Sequence, residues 1–536
     1  MTKIFYPDFF NDVFGPIMQP GSSGSFAGPC RIGNIARSLI GGDPVKVGFL
    51  LNRSDGRLPH LVNFMSDRAY LGGIQGFQTD DVRLFDAPSL AREKGISYDF
   101  GYLEKDNPYP GSIEILIEGK NGEKGSLTAE SIGGGMIRTD RINGFEIEWQ
   151  SDTYGILIEK ASGDRADLSD AFEEANRPRL VNRLKLKKAD HANGYFYEFS
   201  EKPDLQEIKR YFPDDRIAVL PALLPVVTTP ERRPQLFKTV EEWRRFADGK
   251  GISFAQAAIE YEKAFSGWSG ERIWDYFEKI ADILYEQIHS LEKVGYENAK
   301  DTSLLPIYGK YWDRYEREKK PLGDPLTKHI LRHAMSTNAK LPGVRIVPGP
   351  MGTGGGYLFS ALDAVREEYG FSHKKLLEAL AVAAALGALA YTHTNASGSV
   401  GCVGESGVCC AMASGAVTWI AGGDGLQVEH AASMALQANL GIPCDPISGG
   451  LEFPCLTRTL RAAVTAPLYA DLALSGIDPL IPYHEVLQAI ESNFRHADNR
   501  YLCGPECGCN CTPTARKCLE NLEQHSEGIL HFHADA

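Results

Sequence analysis

The hydrophobic pattern changes period once along the chain, and that change limits the fold more than any other feature. Over residues 1–204, short runs of β-type composition (VKVGFLLN, GSIEILIEG, GFEIEWQ, YGILIE) alternate with Gly, Asn and Asp turns. They predict an α/β region whose sheet is mostly antiparallel. From about residue 205, apolar residues recur every three or four positions, as in EEWRRFADGKGISFAQAAIEYEKAF and ERIWDYFEKIADILYEQIHSLEKV, which predicts amphipathic helices. From about residue 341 the chain is rich in Ala and Gly. Helices are expected at 374–391, 428–439 and 484–494, with Gly441 placed to close the second. The expected fold is therefore α+β: an α/β accessory domain at 1–204, a helical connecting region at 205–340, a largely all-α domain at 341–500 and a Cys-rich tail at 501–536.

Composition narrows the function classes. Hydrophobic residues make up 43% and charged residues 24%, which excludes wholesale disorder and fibrous repeats. A net charge of -14 repels phosphate backbones, so nucleic acid is not an expected partner. The best membrane-span candidate, Leu376 to Tyr391, contains Glu378 and is mostly Ala, as a buried core helix would be. The N-terminus lacks a basic stretch followed by an apolar one, and the expected location is the cytoplasm.

Of eleven cysteines, only Cys30 precedes residue 400. In a reducing compartment such clustering points to metal binding or catalysis before cross-links. Cys409 and Cys410, inside an Ala- and Met-rich run, read as core packing. Cys444 and Cys455 each neighbour a proline in a Gly-rich turn, and Cys503, Cys507, Cys509, Cys511 and Cys518 crowd the tail. The tail spacing C-x3-C-x-C-x-C-x6-C fits no common zinc or ferredoxin pattern, so a fourth cluster ligand, a zinc site and a second cluster stay open.

Three Gly/Ser segments could cradle a small polar ligand: PGSSGSFAGP (20–29), ESIGGGMI (130–137) and RIVPGPMGTGGGYLFSALDAV (345–365). The last runs into a helix, whose N-terminus favours an anion. No Walker or dinucleotide pattern accompanies it, so a carboxylate suits it better than a nucleotide. His393, before Thr394 and Asn395, could serve as an acid or base. His430 reads as a core residue. His329 and His333, four apart on one helix without the accompanying Glu of zinc proteases, read as structural.

The segment from Gly401 to Arg458 resembles the catalytic domain of iron–sulfur-dependent L-serine dehydratases. Gly401-Cys402-Val403-Gly404-Glu405-Ser406-Gly407, Asn439-Leu440-Gly441, Cys444-Asp445-Pro446, Gly449-Gly450, Pro454-Cys455 and Arg458 follow the family pattern. IVPGPMGTGGGYL, PGSSGSFAGP, MSDRA (65–69) and ESIGGGMI are similar to the family's other loops, in the same order. The resemblance implies that Cys402, Cys444 and Cys455 hold three corners of a [4Fe–4S] cluster whose fourth iron acts as a Lewis acid. It also implies substrate contacts from Ser22, Ser23, Ser131, Gly133, Gly134, Met351, Gly352, Thr353 and Arg458, with a homodimer as the assembly.

Departures from the pattern bear on the substrate. Ser25 stands where the family has His, Phe26 where it has Thr, Met351 in place of a hydroxyl residue and Val403 in place of Gln. A pocket stripped of hydrogen-bonding partners discriminates against the original polar substrate. With the family's His absent, Ser25, Asp67 and His393 are the candidate catalytic groups. The leading expectation is elimination of water from a small β-hydroxy acid or β-hydroxy amino acid related to serine, with deamination for amino substrates. Two alternatives are sulfide elimination from a cysteine-like thiol, which Met351 and Phe26 would suit, and a non-catalytic iron–sulfur redox sensor.

Overall fold

The protein is represented by a computed structural model. It describes residues 7–520 apart from 56, 59–60, 63, 161–165, 189–192, 232, 300–306, 351, 353, 448–452, 499–506 and 519. The chain forms two compact units, one made of residues 24–232 and the other of residues 233–522 together with the first 23. The architecture is α+β, a sheet-bearing region followed by a helical one.

The sheet unit is built on period-2 strands. Strands β1 (Pro44–Leu51), β2 (Ser97–Tyr102), β3 (Ser112–Gly119), β4 (Lys124–Gly133), β5 (Met136–Ile142) and β6 (Phe145–Trp149) form one sheet in the order β2-β1-β3-β4-β5-β6. All its pairings are antiparallel except β1 with β2. That parallel pair needs a long crossover, supplied by α2 (Ser66–Ile74) and α3 (Ala87–Glu93). Alternate residues Val47, Phe49 and Leu51 of β1 and Ile113, Ile115 and Ile117 of β3 are buried beneath α1 (Gly28–Ser38) and its neighbours. A second, antiparallel sheet in the order β10-β7-β9-β8 uses β7 (Tyr154–Glu159), β8 (Leu180–Lys187), β9 (Asn193–Phe199) and β10 (Arg216–Leu220). Its core joins Ile156, Ile158, Tyr195, Tyr197 and Phe199 to Phe172 of α4 (Ala166–Asn176) and Ile208 of α5 (Leu205–Tyr211). Because α5 and β10 complete this core, the unit runs beyond residue 204, where the sequence suggested it would end.

In the helical unit, capping residues set many boundaries. Thr239, Ser253 and Ser269 accept backbone N–H groups at the starts of α6 (Val240–Lys250), α7 (Phe254–Ser266) and α8 (Gly270–Ile288). There follow α9 (Ser290–Val294), α10 (Gly309–Glu318), α11 (Pro325–Asn338), α12 (Gly354–Tyr369), α13 (His373–His393), α14 (Val408–Ile420), α15 (Gly425–Gln437), α16 (Cys455–Leu474) and α17 (Tyr483–His496). Helices from 240 to 338 pack directly against α12, α13 and α16, so the expected connecting region belongs to the same core as the helices after it. Among the described residues, α13 alone is long and apolar enough to cross a membrane, and most of that stretch is buried against its neighbours. Helix α15 stops before Gly441: Asn439 Nδ2 donates to the Ala435 carbonyl at 2.6 Å and takes up an end-of-helix acceptor. Residues 7–23 also belong here. Phe9 stacks on Tyr261 at 5.4 Å, Phe10 meets Phe277 at 5.2 Å, and Met18 pairs with Ile346.

Candidate active site around the buried cysteines

Three loops of the helical unit gather the cysteines that the sequence singled out. The first leaves α13 and turns at Gly401 so that the Val403 N–H donates to the Ile442 carbonyl at 3.4 Å, laying residues 401–403 beside 442–444. Cys402 lies at its start, 4% exposed, with Sγ 3.0 Å from Ser406 Oγ. Cys444 Sγ lies 3.0 Å, and Glu405 Oε1 3.5 Å, from the point where a Cβ on Gly398 would sit. Cys455 opens α16, and its thiol interacts electrostatically with Cys402 and Glu405. The three thiols and the Glu405 carboxylate therefore occupy one small volume.

Burial governs the electrostatics there. Removal from water and then the Glu405 charge push the Cys402 thiol up, against a hydrogen bond from Ser406. Burial, then Cys402 and Glu405, push Cys455 well above the ordinary thiol range. Glu405 is pushed up to about 7 by desolvation, which the Gly398 backbone N–H only partly offsets. Arg458, one turn into α16, donates to the Pro443 carbonyl at 2.7 Å and to Asp445 Oδ1 at 2.5 Å, and its guanidinium also bonds Cys402. It thus ties the first cysteine loop to the second.

The tail joins the same place. Asp445 is 2% exposed, and its Oδ2 accepts the Cys509 N–H at 2.6 Å. Burial works to raise this carboxyl, but the hydrogen bonds from Cys509 and Arg458 outweigh it and hold it below the usual range. Cys507, Cys509 and Cys511 fall in this docked turn, Cys518 is exposed, and Cys503 lies outside the described residues. Cys409 and Cys410 are buried in α14 and donate to the Gly354 and Ala462 carbonyls, as core thiols do.

The Gly-rich loops sort between the units. A Cβ on Gly352 would meet the Gly21 carbonyl at 2.5 Å and the Ser23 N at 3.3 Å, so the loop before α12 touches the loop of Ser22 and Ser23. Met351 and Thr353 lie outside the described residues. In the sheet unit, Ser131 Oγ donates to the Gly24 carbonyl at 2.6 Å and Ser66 Oγ to the Ser25 carbonyl at 2.5 Å, which brings the 24–27 turn to α2 and β4. Ser25 Oγ and Asp67 Oδ1 are buried without a hydrogen-bond partner. Burial raises Asp67 against the charge of Arg68. Gly133 and Gly134 form the β4–β5 turn, and Arg31 donates to the adjoining Gly135 carbonyl at 2.5 Å. Phe26 is fully buried and stacked on Phe85 at 5.8 Å. His393 Nε2 donates to the Lys238 carbonyl at 2.7 Å, its ring sits 5.8 Å from His484, and burial lowers it.

Glu405, which the structure places among the cysteines, is a candidate acid or base that the sequence reading passed over. Its signal was present, since it stands three positions after Cys402 inside the cysteine motif.

A helical unit that gathers Cys402, Cys444, Cys455 and Glu405, and a separate sheet unit, give the chain a two-part architecture. A family profile described as "Serine dehydratase alpha chain" matches residues 249–511. The probable L-serine dehydratase alpha chain of Bacillus subtilis (strain 168) is 31% identical over 285 residues, 53% of this chain and 94% of its own length. The alpha chain of the L-serine dehydratase of Peptoniphilus asaccharolyticus is 25% identical over 257 residues, 48% of this chain and 87% of its own length. The beta chain from the same organism is 37% identical over 150 residues, 28% of this chain, and the match spans 66% of that beta chain. The chain belongs to the L-serine dehydratase family, an enzyme family of lyases.

Proposed function

We propose that this protein is a [4Fe–4S]-dependent lyase that eliminates water from a small β-hydroxy acid or β-hydroxy amino acid related to serine. The observation that carries the reading is the gathering of Cys402, Cys444 and Cys455 around Glu405 and Arg458. The donor set suits an iron–sulfur cluster: burial and mutual proximity keep the Cys402 and Cys455 thiols protonated on their own, and cationic irons compensate thiolates in such a place. When bound, the cluster supplies Lewis acidity toward a substrate hydroxyl, a poor leaving group in water.

The remaining chemistry falls to the chain's own groups. Glu405, poised at about 7, takes the proton from the substrate carbon next to the carboxylate. The N-terminal turn of α12 and the backbone at Gly349 and Gly352 receive the substrate carboxylate. Tyr357 hydrogen-bonds Thr459 and Asn338 and is pushed up to about 12 by burial, so it stays a neutral hydroxyl beside Cys455. Ser25, Asp67 and His393 are retained as further proton-handling candidates. The buried stacking of Phe26 removes it as an argument for a thiol substrate. A cytoplasmic homodimer completes the reading, and sedimentation of the purified chain checks the assembly.

The test is anaerobic reconstitution of the wild type and Cys444→Ser with iron and sulfide, followed by assays for keto acid and sulfide. The wild type is expected to hold a cluster and release keto acid without sulfide, and the variant to assemble none. Full iron content and activity in Cys444→Ser would sink the ligand assignment, and sulfide release would replace dehydration with desulfidation.

A further inference from the structure

His289, His333 and Asp363 are far apart in sequence, yet one ligand atom from each lies within 4.8 Å of the other two. They come from three elements of the helical unit: the junction of α8 with α9, α11 and α12. His333 is 1% exposed and Asp363 0%, whereas the His289 side chain keeps 22% of its surface in contact with solvent.

In each residue the outer polar atom is held and the inner one is not. His289 Nδ1 pairs with Glu292 Oε2 at 3.1 Å, Asp363 Oδ1 accepts Arg366 Nε at 2.6 Å, and His333 bonds the Ser360 backbone. His289 Nε2, His333 Nδ1 and Asp363 Oδ2 are buried with no hydrogen-bond partner. A single buried orphan costs about 1–3 kcal/mol, so three on side chains gathered this closely require a common explanation. Metal-bound imidazoles and carboxylates show this division, with the far atom oriented by an outer partner and the near atom on the ion. His329 stays outside the group: its ring is 4.5 Å from that of His333, but its nitrogens face Glu367 and Glu368.

We propose that His289, His333 and Asp363 form a binding site for a divalent first-row cation, zinc above all, with a solvent-side position left for water. Two imidazoles and a carboxylate are a zinc donor set, and the partly exposed edge at His289 is the way in. The ion fastens α12, whose N-terminus follows the Gly352 loop, to α11 and to the end of α8. The site uses none of the cysteines and stands independently of the cluster reading.

The test titrates Zn2+ and Co2+ into the full-length, chelator-stripped protein under reducing anaerobic conditions, against a chromophoric chelator. Thiols elsewhere in the chain compete for zinc, so the Co2+ spectrum decides ligand type: thiolates give intense near-ultraviolet charge transfer, and this site only weaker visible bands. The wild type is expected to bind one equivalent with the second signature and to gain thermal stability from it. His289→Gln and Asp363→Asn should weaken that equivalent by about a hundredfold or more, whereas His329→Gln keeps it and all retain wild-type iron after reconstitution. A wild type without thiolate-free Co2+ bands overturns the proposal whether or not the variants fold. So does an undiminished equivalent in folded His289→Gln and Asp363→Asn.

Discussion

Gly508→Ala probes how tightly the tail is seated on the cysteine loops. Gly508 has φ +49, and a Cβ there would meet Asp445 Oδ2 at 2.1 Å. The carboxylate has nowhere to swing, because Oδ1 is held by Arg458 at 2.5 Å and Oδ2 by the Cys509 N–H at 2.6 Å. A left-handed alanine costs about 1–2 kcal/mol. The hydrogen bond to the charged Asp445 that must be broken is worth about 1.5–3 kcal/mol. A combined loss of about 4 kcal/mol shifts docking of the turn by roughly a thousandfold, so the turn detaches while the helical core stays folded. Amide hydrogen exchange of peptides spanning 507–518, in the iron-free reduced protein, reads this directly. Gly422→Ala is the control, since Gly422 has φ +94 but open space around its Cβ, and it leaves tail exchange unchanged. Tail protection within threefold of wild type in Gly508→Ala would refute the close approach.

Further outcomes follow from the same geometry. Phe26→Thr restores the family's residue but empties a buried, stacked position, so it should cost the sheet unit about 3–4 kcal/mol in denaturant unfolding without raising activity on serine. Glu405 has a folded-state value of about 7 against an ordinary 4.5, so the folded iron-free protein binds more protons than the unfolded chain between those values. Its stability contribution is intact below pH about 4.5 and falls as pH rises toward 7. In Glu405→Gln that part of the slope disappears, by at most about 3 kcal/mol, and urea titrations at several pH values check it. Cys444→Ser should lose cluster assembly, measured as iron per chain.

Much of the fold was legible because pattern and packing agree. The runs at 44–51, 112–119 and 145–149 are strands because each sets alternate apolar residues against a core, 154–159 is an apolar run buried on both faces, and α13 and α17 fall where Ala-rich and apolar segments between Gly and Pro turns put them. The cysteine loops stand out in the sequence because thiols, prolines and glycines crowd together there. What escaped depends on contacts that spacing does not encode. The FFNDVF segment has no period, since its rings insert one by one among Tyr261, Trp268 and Phe277. His333 has His329 as its sequence neighbour on α11, yet its buried nitrogen faces His289 and Asp363, which only the packing of three helices supplies.

The path of the chain through its two units has a consequence for how the molecule is made. The aromatic plug at Phe9 and Phe10 leaves the ribosome before its socket at Trp268 and Phe277, which emerges only after the whole of the sheet unit. The sheet unit, contiguous from 24 to 232, is free to fold in that interval, whereas the plug must wait as bare apolar surface. Severing the chain after residue 232 would not yield two self-sufficient halves. One would carry the stopper for the other's core, and reassociation would have to rethread it.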